Sequence, residues 1–282
     1  MTILKMKNNN ADSDLPVPAD NLMYLYCITA GAPLPESYKD VYKIKVIEVN
    51  GLYVIYKEVG ADEYSTDNIQ LKIKDAVWLD FNVRDHLSIL TSLMNVTTVI
   101  PFNFGTVYRT KERMLQFIAD HEGDIRHNLL FFEGKEEWSV KLYFERKTIV
   151  DNINDISDAI RKLDDQIKIS FPGKAYMLKK KKEEIIQNEI YDFYIKCSAR
   201  ISDILCFSCI DTKLLTIQQD ERADNTEDMI LNGSYLLLKE NIAEFHASVD
   251  KILDDYQSTG VTVAVTGPWP PYSFIKMRST NE

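Results

Sequence analysis

His121-Glu122 opens as the zinc-protease helix motif does, in which two histidines four residues apart bind the metal and the glutamate serves as base. Position 125 is Ile125, so the second ligand is missing and the metal reading fails. Cys206-Phe207-Ser208-Cys209 has redox spacing, but a reactive pair needs its first thiol at a helix N-terminus, where the thiolate is stabilised. Its flanks, Ile204-Leu205 and Ile210, read as strand, which turns positions 206 and 209 to opposite faces and makes both core thiols. His86 sits at the border of an apolar helix face with no histidine or carboxylate at i+4, and reads as structural. Lys179–Lys182, followed by Glu183-Glu184, resembles an anion site but fits a solvated face with Lys/Glu pairs better. The Gly-x-Gly-x-x-Gly, phosphate-loop and Gly-x-Ser-x-Gly patterns are missing, and the four histidines are not spaced as a metal pair. The expectation is therefore no catalytic residue, no cofactor and no metal.

What the chain carries densely is aromatic and proline sequence at the ends of apolar runs. Val261–Val265 reads as a buried strand that Gly267 and Pro268 stop. The segment beyond is stiffened by Pro268, Pro270 and Pro271 and holds out Trp269, Tyr272 and Phe274. Two readings stay open: an aromatic plug closing a core, or a docking surface for another chain. Thr97–Tyr108 poses the same question. A short strand runs into Pro101, Phe102 and Phe104 alternate on one side, and Gly105 breaks the pattern. A bent edge strand is favoured there over an exposed aromatic edge that pairs by strand addition. The candidate interface or structural signature is thus Pro101, Phe102, Phe104 and Gly105 with Gly267, Pro268, Trp269, Pro270, Pro271, Tyr272 and Phe274.

The elements that must position these residues follow from periodicity. Asn21–Ala30 opens as a strand, and Val41–Val49 with Leu52–Val59 forms a hairpin across Asn50-Gly51, where both residues tolerate positive φ. Asp75–Asn95 and Thr110–Leu130 read as helices, and Glu137–Glu145 as a strand. Asp151–Ser170 is a polar, weakly helical connector, followed by a long helix over Lys174–Ser202. Asp203–Ile217 supplies one or two strands, Gln218–Asp228 an acidic loop, Ser234–Lys239 a strand and Asn241–Tyr256 a regular helix before the last strand. The second half then runs strand, helix, strand, strand, helix, strand, the order of a ferredoxin-like sandwich. The fold class expected is α+β with two domains: a lead-in over 1–20, an N-terminal mixed α/β domain over 21–135, and a ferredoxin-like βαββαβ domain over 136–282 with a helical connector at 147–172.

At 282 residues the chain has room for two cores, and 45% apolar with 27% charged residues is the balance of a globular protein. A net charge of −10 argues against nucleic acid, whose phosphates need lysine and arginine, and against anionic lipid. No apolar run approaches the ~18–20 residues of a membrane span. The N-terminus lacks a secretory signal pattern, and with four cysteines this points to free thiols in the cytoplasm.

Two of these stretches, Val99–Val107 and Thr266–Phe274, resemble the two signatures of the gas vesicle protein F / gas vesicle protein L family. Trp78-Leu79 with Arg84 and His86, Glu137–Lys141, and Pro172–Leu178 add to the resemblance, which spans about Leu22 to Phe274. Asn103 departs from it, standing where many relatives carry arginine. The resemblance implies a non-enzymatic accessory protein with a modified ferredoxin-like second domain, required for assembly of gas-filled, protein-walled vesicles. It also implies contact with the small hydrophobic shell protein, gas vesicle protein A, and with other accessory proteins. The alternative is a small-molecule-binding or enzymatic ferredoxin-like α+β protein, since topology alone does not fix function.

Overall fold

Strand β1 (Asn21–Ala30) is buried without interruption from Tyr24 to Thr29, which requires cover on both faces of its sheet. In the computed structural model, which describes residues 21–31, 34–153, 157–217 and 227–278, that cover comes from sequence-distant elements. Strands β2 (Lys45–Val49) and β3 (Leu52–Gly60) pair antiparallel, and β3 pairs antiparallel with β1. Their turn has Asn50 at φ 52° and Gly51 at φ 74°, the left-handed pair that matches hairpin twist and that the Asn-Gly dipeptide predicts. On the other edge of β1 lie β4 (Val99–Pro101) and β5 (Val107–Tyr108), so the sheet runs β2-β3-β1-β4 with β5 also on β1. The register of β1 slips between Leu25 and Cys27, a bulge whose Tyr26 carbonyl accepts from Phe102 N at 2.9 Å.

The expected strand over Val41–Val49 begins too early. Helix α1 (Glu36–Tyr42) occupies its first residues, launched by Pro35 and ended by Lys43 in the left-handed region at φ 52°. The short helices α2 (Ala61–Tyr64) and α3 (Thr66–Lys72) follow β3. Helix α4 (Ala76–Met94) starts where Asp75 accepts hydrogen bonds from Val77 N at 3.0 Å and Trp78 N at 3.2 Å. It buries His86, Ile89, Leu90 and Leu93 against the sheet.

The single helix expected over Thr110–Leu130 is two: α5 (Lys111–Asp120) and α6 (Glu122–Phe132). The break falls at His121, whose ring stacks on Phe117 at 4.3 Å and bonds Phe117 O through Nδ1 at 2.9 Å. That folds the histidine back onto the preceding turn, and Gly123 just after it lowers the propensity to continue.

The chain divides into two units, Met1–Glu136 with Pro268–Glu282, and Glu137–Gly267. In the second unit β6 (Lys135–Glu145) sits between β8 (Glu227–Leu238) and β9 (Val261–Trp269), with β7 (Asp211–Leu214) outermost, giving the order β7-β8-β6-β9. The remaining helices are α7 (Arg146–Asp151), α8 (Asp158–Lys168), α9 (Pro172–Cys206) and α10 (Ile242–Tyr256). Val140, Leu142 and Phe144 of β6 meet Ile190, Ile201 and Leu205 of α9 and Phe245, Val249 and Ile252 of α10 in one core.

The expectations for the cysteine pair and for the last strand change here. Helix α9 runs 35 residues and takes in Cys206, so the cysteine pair lies on a helix end and the turn after it rather than on a strand. The one or two strands expected over Asp203–Ile217 are one, β7. Strand β9 lies at the sheet edge, so Val261–Val265 is only partly covered rather than buried. It does not stop at Gly267 and Pro268 but continues to Trp269, because the N–H that Pro268 lacks is not needed where a position faces away from the ladder. The expected lead-in over 1–20, and positions 218–226 of the expected acidic loop, lie outside the described residues.

Candidate functional site

His86 is the point on which the two aromatic segments converge. Its Nδ1 lies 2.9 Å from the Tyr24 hydroxyl and its Nε2 lies 2.9 Å from the Tyr272 hydroxyl. Gly105 N donates to the Tyr24 oxygen at 3.0 Å. The Tyr24 oxygen thus accepts from Gly105 and donates its own proton to Nδ1. With that assignment the ring hydrogen sits on Nε2, toward Tyr272, and the Phe102 backbone is a further acceptor beside the imidazole. A hydrogen-bonded chain therefore joins Gly105, Tyr24, His86 and Tyr272.

Rings close around this chain. Tyr26 stacks on His86 at 5.2 Å, and Phe104 meets the imidazole edge-to-face at 5.9 Å. Tyr64 stands edge-on to Tyr24 at 5.5 Å, while Trp78 contacts Tyr64 at 5.6 Å and Phe104 at 6.2 Å. Each such contact adds roughly 0.5–1.5 kcal/mol beyond burial. Burial drives the His86 pKa down to about 4, against the opposing pull of the Phe102 backbone and Asp85, so the ring is neutral at ordinary pH. Burial likewise pushes Tyr24 and Tyr26 far above the usual phenol range and Tyr64 up to about 12. Cys27, the nearby thiol on β1, is fully buried with its pKa also driven far up, so it is no nucleophile. Chemically the cluster is a largely buried, uncharged fastening.

The other signature residues have separate posts. Pro101 pairs with Cys27 across β4 and β1, and Phe102 packs edge-on against Phe117 at 5.9 Å. Gly105 is held at φ 81°, where a Cβ would lie 2.9 Å from Ile69 Cδ1. Gly267, at φ 153°, lies against the Trp138 indole. A Cβ there would come within 2.9 Å of Cδ2 and Cε3 and 3.1 Å of the Glu137 carbonyl. Pro268 is exposed, Trp269 half-buried, and Pro270 and Pro271 buried. Pro270 and Pro271 carbonyls accept from Tyr272 N at 2.7 Å and Phe274 N at 3.3 Å, a tight turn that delivers Tyr272 to His86 and buries Phe274.

Beyond it the chain is held by α6. Asn128 donates to Lys276 O at 2.8 Å and accepts from Lys276 N at 3.0 Å, and Asp124 accepts from Arg278 N at 2.8 Å. Sequence reasoning missed Tyr24, Tyr26, Tyr64 and Asn128. The available signals were the Tyr-x-Tyr alternation in β1 and a lone amide on the Ile125–Leu129–Phe132 face.

Cys206 and Cys209 are free thiols, each with a local partner. Cys206 Sγ contacts Thr212 Oγ1 at 3.4 Å, Cys209 Sγ donates to Leu205 O at 2.9 Å, and burial raises the Cys209 pKa to about 12. Among the described residues no group of three His, Cys, Asp or Glu side chains could hold a metal ion, and no helix is long and apolar enough to cross a membrane.

The family model described as Gas vesicle synthesis protein GvpL/GvpF matches residues 22–276. The chain belongs to the GvpL/GvpF family. That family comprises gas vesicle accessory proteins and is not a known enzyme family. Gas vesicle protein L of Streptomyces sp. (strain CB03234) is 22% identical over 90% of this chain and 93% of its own length. Gas vesicle protein L1 of Halobacterium salinarum is 24% identical over 90% of each. The crystal structure of GvpF from Anabaena sp. PCC7120 matches with a TM-score of 0.65 at 18% identity, over 93% of this chain and 99% of that one, and shares the α+β fold.

Proposed function

We propose that this GvpL/GvpF protein is a cytoplasmic assembly factor that binds the small hydrophobic shell protein, gas vesicle protein A, and other accessory proteins while the vesicle nucleates or grows. No bond is made or broken in this role. The observation that supports it is the use to which both signature segments are put: their rings are spent inward, on His86 and its neighbours, in a neutral joint without reactive groups. A joint of that kind sets shape, and shape serves recognition.

In this reading Pro101–Gly105 and Gly267–Phe274 are the frame of the interface, and the contact itself falls on the outer face of the helix they brace. Helix α4 turns His86 inward and leaves Val77 and Phe81 exposed outward. They share this open face of the helix with Asp80, Arg84, Asp85 and Ser88. An apolar strip rimmed by charge suits a subunit that must be shielded from wrong association until it is placed. The strand order β7-β8-β6-β9 of the second unit supports a ferredoxin-like sandwich there.

The test is capture of purified shell protein on the immobilised chain. The double variant Val77→Glu/Phe81→Glu changes only exposed positions, so it should keep its thermal midpoint and lose capture at least tenfold. A folded variant that captures shell protein as the parent does would remove the α4 face from the mechanism. Failure of the parent chain itself to capture shell protein would remove the function proposed.

A further inference from the structure

The outer face of helix α9 carries a stripe that the core does not use. Ile190, Cys197, Ile201 and Leu205 are the residues α9 buries. At ~100° per residue, Met177, Lys181, Glu184, Asn188, Tyr191 and Ile195 fall within about 40° of a single line on a different face. All six are exposed: Met177 by 72%, Tyr191 by 65% and Ile195 by 49%. Their spacing alternates four and three, the repeat of a two-helix seam. Helix α8 does not cover this line. It lies along another side, where Lys182 Nζ reaches both carboxylate oxygens of Asp164 at 2.7 Å.

We propose that this stripe is a dimer seam, occupied by the same stripe of a second copy of the chain running antiparallel to it. The stripe is complementary to itself when reversed about residue 186. Met177 then meets Ile195 of the second copy, Lys181 meets Tyr191, and Glu184 meets Asn188. Every pair is equidistant from that centre, and every pair is chemically matched: apolar with apolar, ammonium over an aromatic face, carboxylate with amide donor. A two-fold axis repeats each pair, as an isologous interface requires. Parallel alignment would instead set Lys181 against Lys181 and Glu184 against Glu184, like charges that repel.

The ends of the helix agree with the same direction. Ile169 (86% exposed) and Phe171 (87%) flank its N-terminus, while Phe207 (88%) and Ile210 (45%) follow its C-terminus. Antiparallel pairing carries the first pair of apolar side chains toward the second pair of the other copy, at both ends. Polar rungs at the centre fix the register, and apolar rungs outward supply the contact area.

The experiment is sedimentation velocity on the full chain over a concentration series, with cysteine pairing to read direction. The parent should pass from monomer to dimer, and Tyr191→Lys/Ile195→Lys should dissociate at least tenfold more readily with an unchanged thermal midpoint. Met177→Cys and Ile195→Cys chains, mixed and oxidised, should give a disulfide-linked dimer above the background of the parent. Neither should do so alone, because Met177 of one copy and Met177 of the other would stand about 27 Å apart at ~1.5 Å per residue. A parent that stays monomeric up to about 200 μM, or single variants that crosslink to themselves, would overturn the proposal.

Discussion

Lowering the pH should weaken the first unit through His86, and the size of the effect follows from its burial. The imidazole is 2% exposed and its pKa lies at about 4, against about 6.5 in an unfolded chain. Because the folded value is the lower one, the unfolded state takes up a proton first. Stability is therefore full above pH 6.5 and falls as pH drops toward 4, the slope following the excess of protons bound by the unfolded chain. With these two values the loss is about 2 kcal/mol at pH 5 and about 3 kcal/mol at pH 4. Exposed carboxylates also contribute on the acid side, since the pKa of Glu122 is lowered by hydrogen bonds from Asn50 and Arg126. His86→Gln separates the terms, because glutamine retains hydrogen-bonding capacity and does not titrate. Urea denaturation of parent and variant at pH 7.5, 6, 5 and 4.5 should give curves that converge by about 2 kcal/mol between the first and third values. Histidine ring NMR should show one of the four histidines with a midpoint near 4, missing from the variant. Parallel losses in the two proteins, or the lack of any histidine midpoint near 4, would refute a buried, neutral His86.

Gly267→Ala places a methyl group 2.9 Å from the Trp138 ring and 3.1 Å from the Glu137 carbonyl, and should lower stability by about 1–3 kcal/mol in chemical denaturation. Gly105→Ala should cost about 1–2 kcal/mol from its φ of 81° alone, measured in the same way. Asn128→Ala removes both bonds to the Lys276 backbone and should cost about 1–3 kcal/mol. Its signature would be faster amide exchange at Lys276 with little change in β1. Titration with a thiol reagent at pH 8 should label at most Cys206 and Cys209 in the native protein. Labelling of buried Cys27 or Cys197 before denaturation would contradict the packing of both cores.

Local chemistry was legible where one signal dominated. β1, the Asn50-Gly51 turn and the Asp75 start of α4 each carry a residue type with one good conformation. Errors arose where two signals competed. Val41 and Tyr42 continue the alternation of Lys45–Val49, but Pro35 and Glu36 upstream start a helix that claims them. Ile204 and Leu205 are β-prone beside Cys206, yet Leu205 lies four residues after Ile201 and prolongs the buried face of α9. The His86 joint was not legible at all. Its partners stand 62 and 186 residues away, and no local pattern marks a polar atom whose satisfaction comes from another segment. What could be read was the composition of that remote segment, not its destination.

That destination explains why the closing signature mixes residue types that no single element needs. The chain passes between its two units at Glu136–Glu137 and again at Gly267–Pro268. On the second unit's side, glycine is required because β9 lies against Trp138 and the Glu137 carbonyl, where any Cβ collides. On the first unit's side, Tyr272 must reach Nε2 of His86, and Phe274 must enter the core. Between them the prolines set φ and reduce the entropy of the unfolded segment, so the turn to Tyr272 forms with less loss on folding. Gly267, the prolines and Tyr272 thus answer three independent demands within one short string. Replacing Pro270 and Pro271 by alanine should therefore make the unit less stable, through the unfolded state and through lost burial of the two rings, while their carbonyls keep the turn and leave the His86–Tyr272 contact intact. The reverse is expected for Tyr272→Phe, which keeps the turn and removes the hydrogen bond. Thermal midpoints paired with nitrogen NMR of the His86 ring distinguish the two. Both variants should keep a ring midpoint near 4, since burial sets it, while Tyr272→Phe alone should move the Nε2 nitrogen resonance, because only it changes what the imidazole touches.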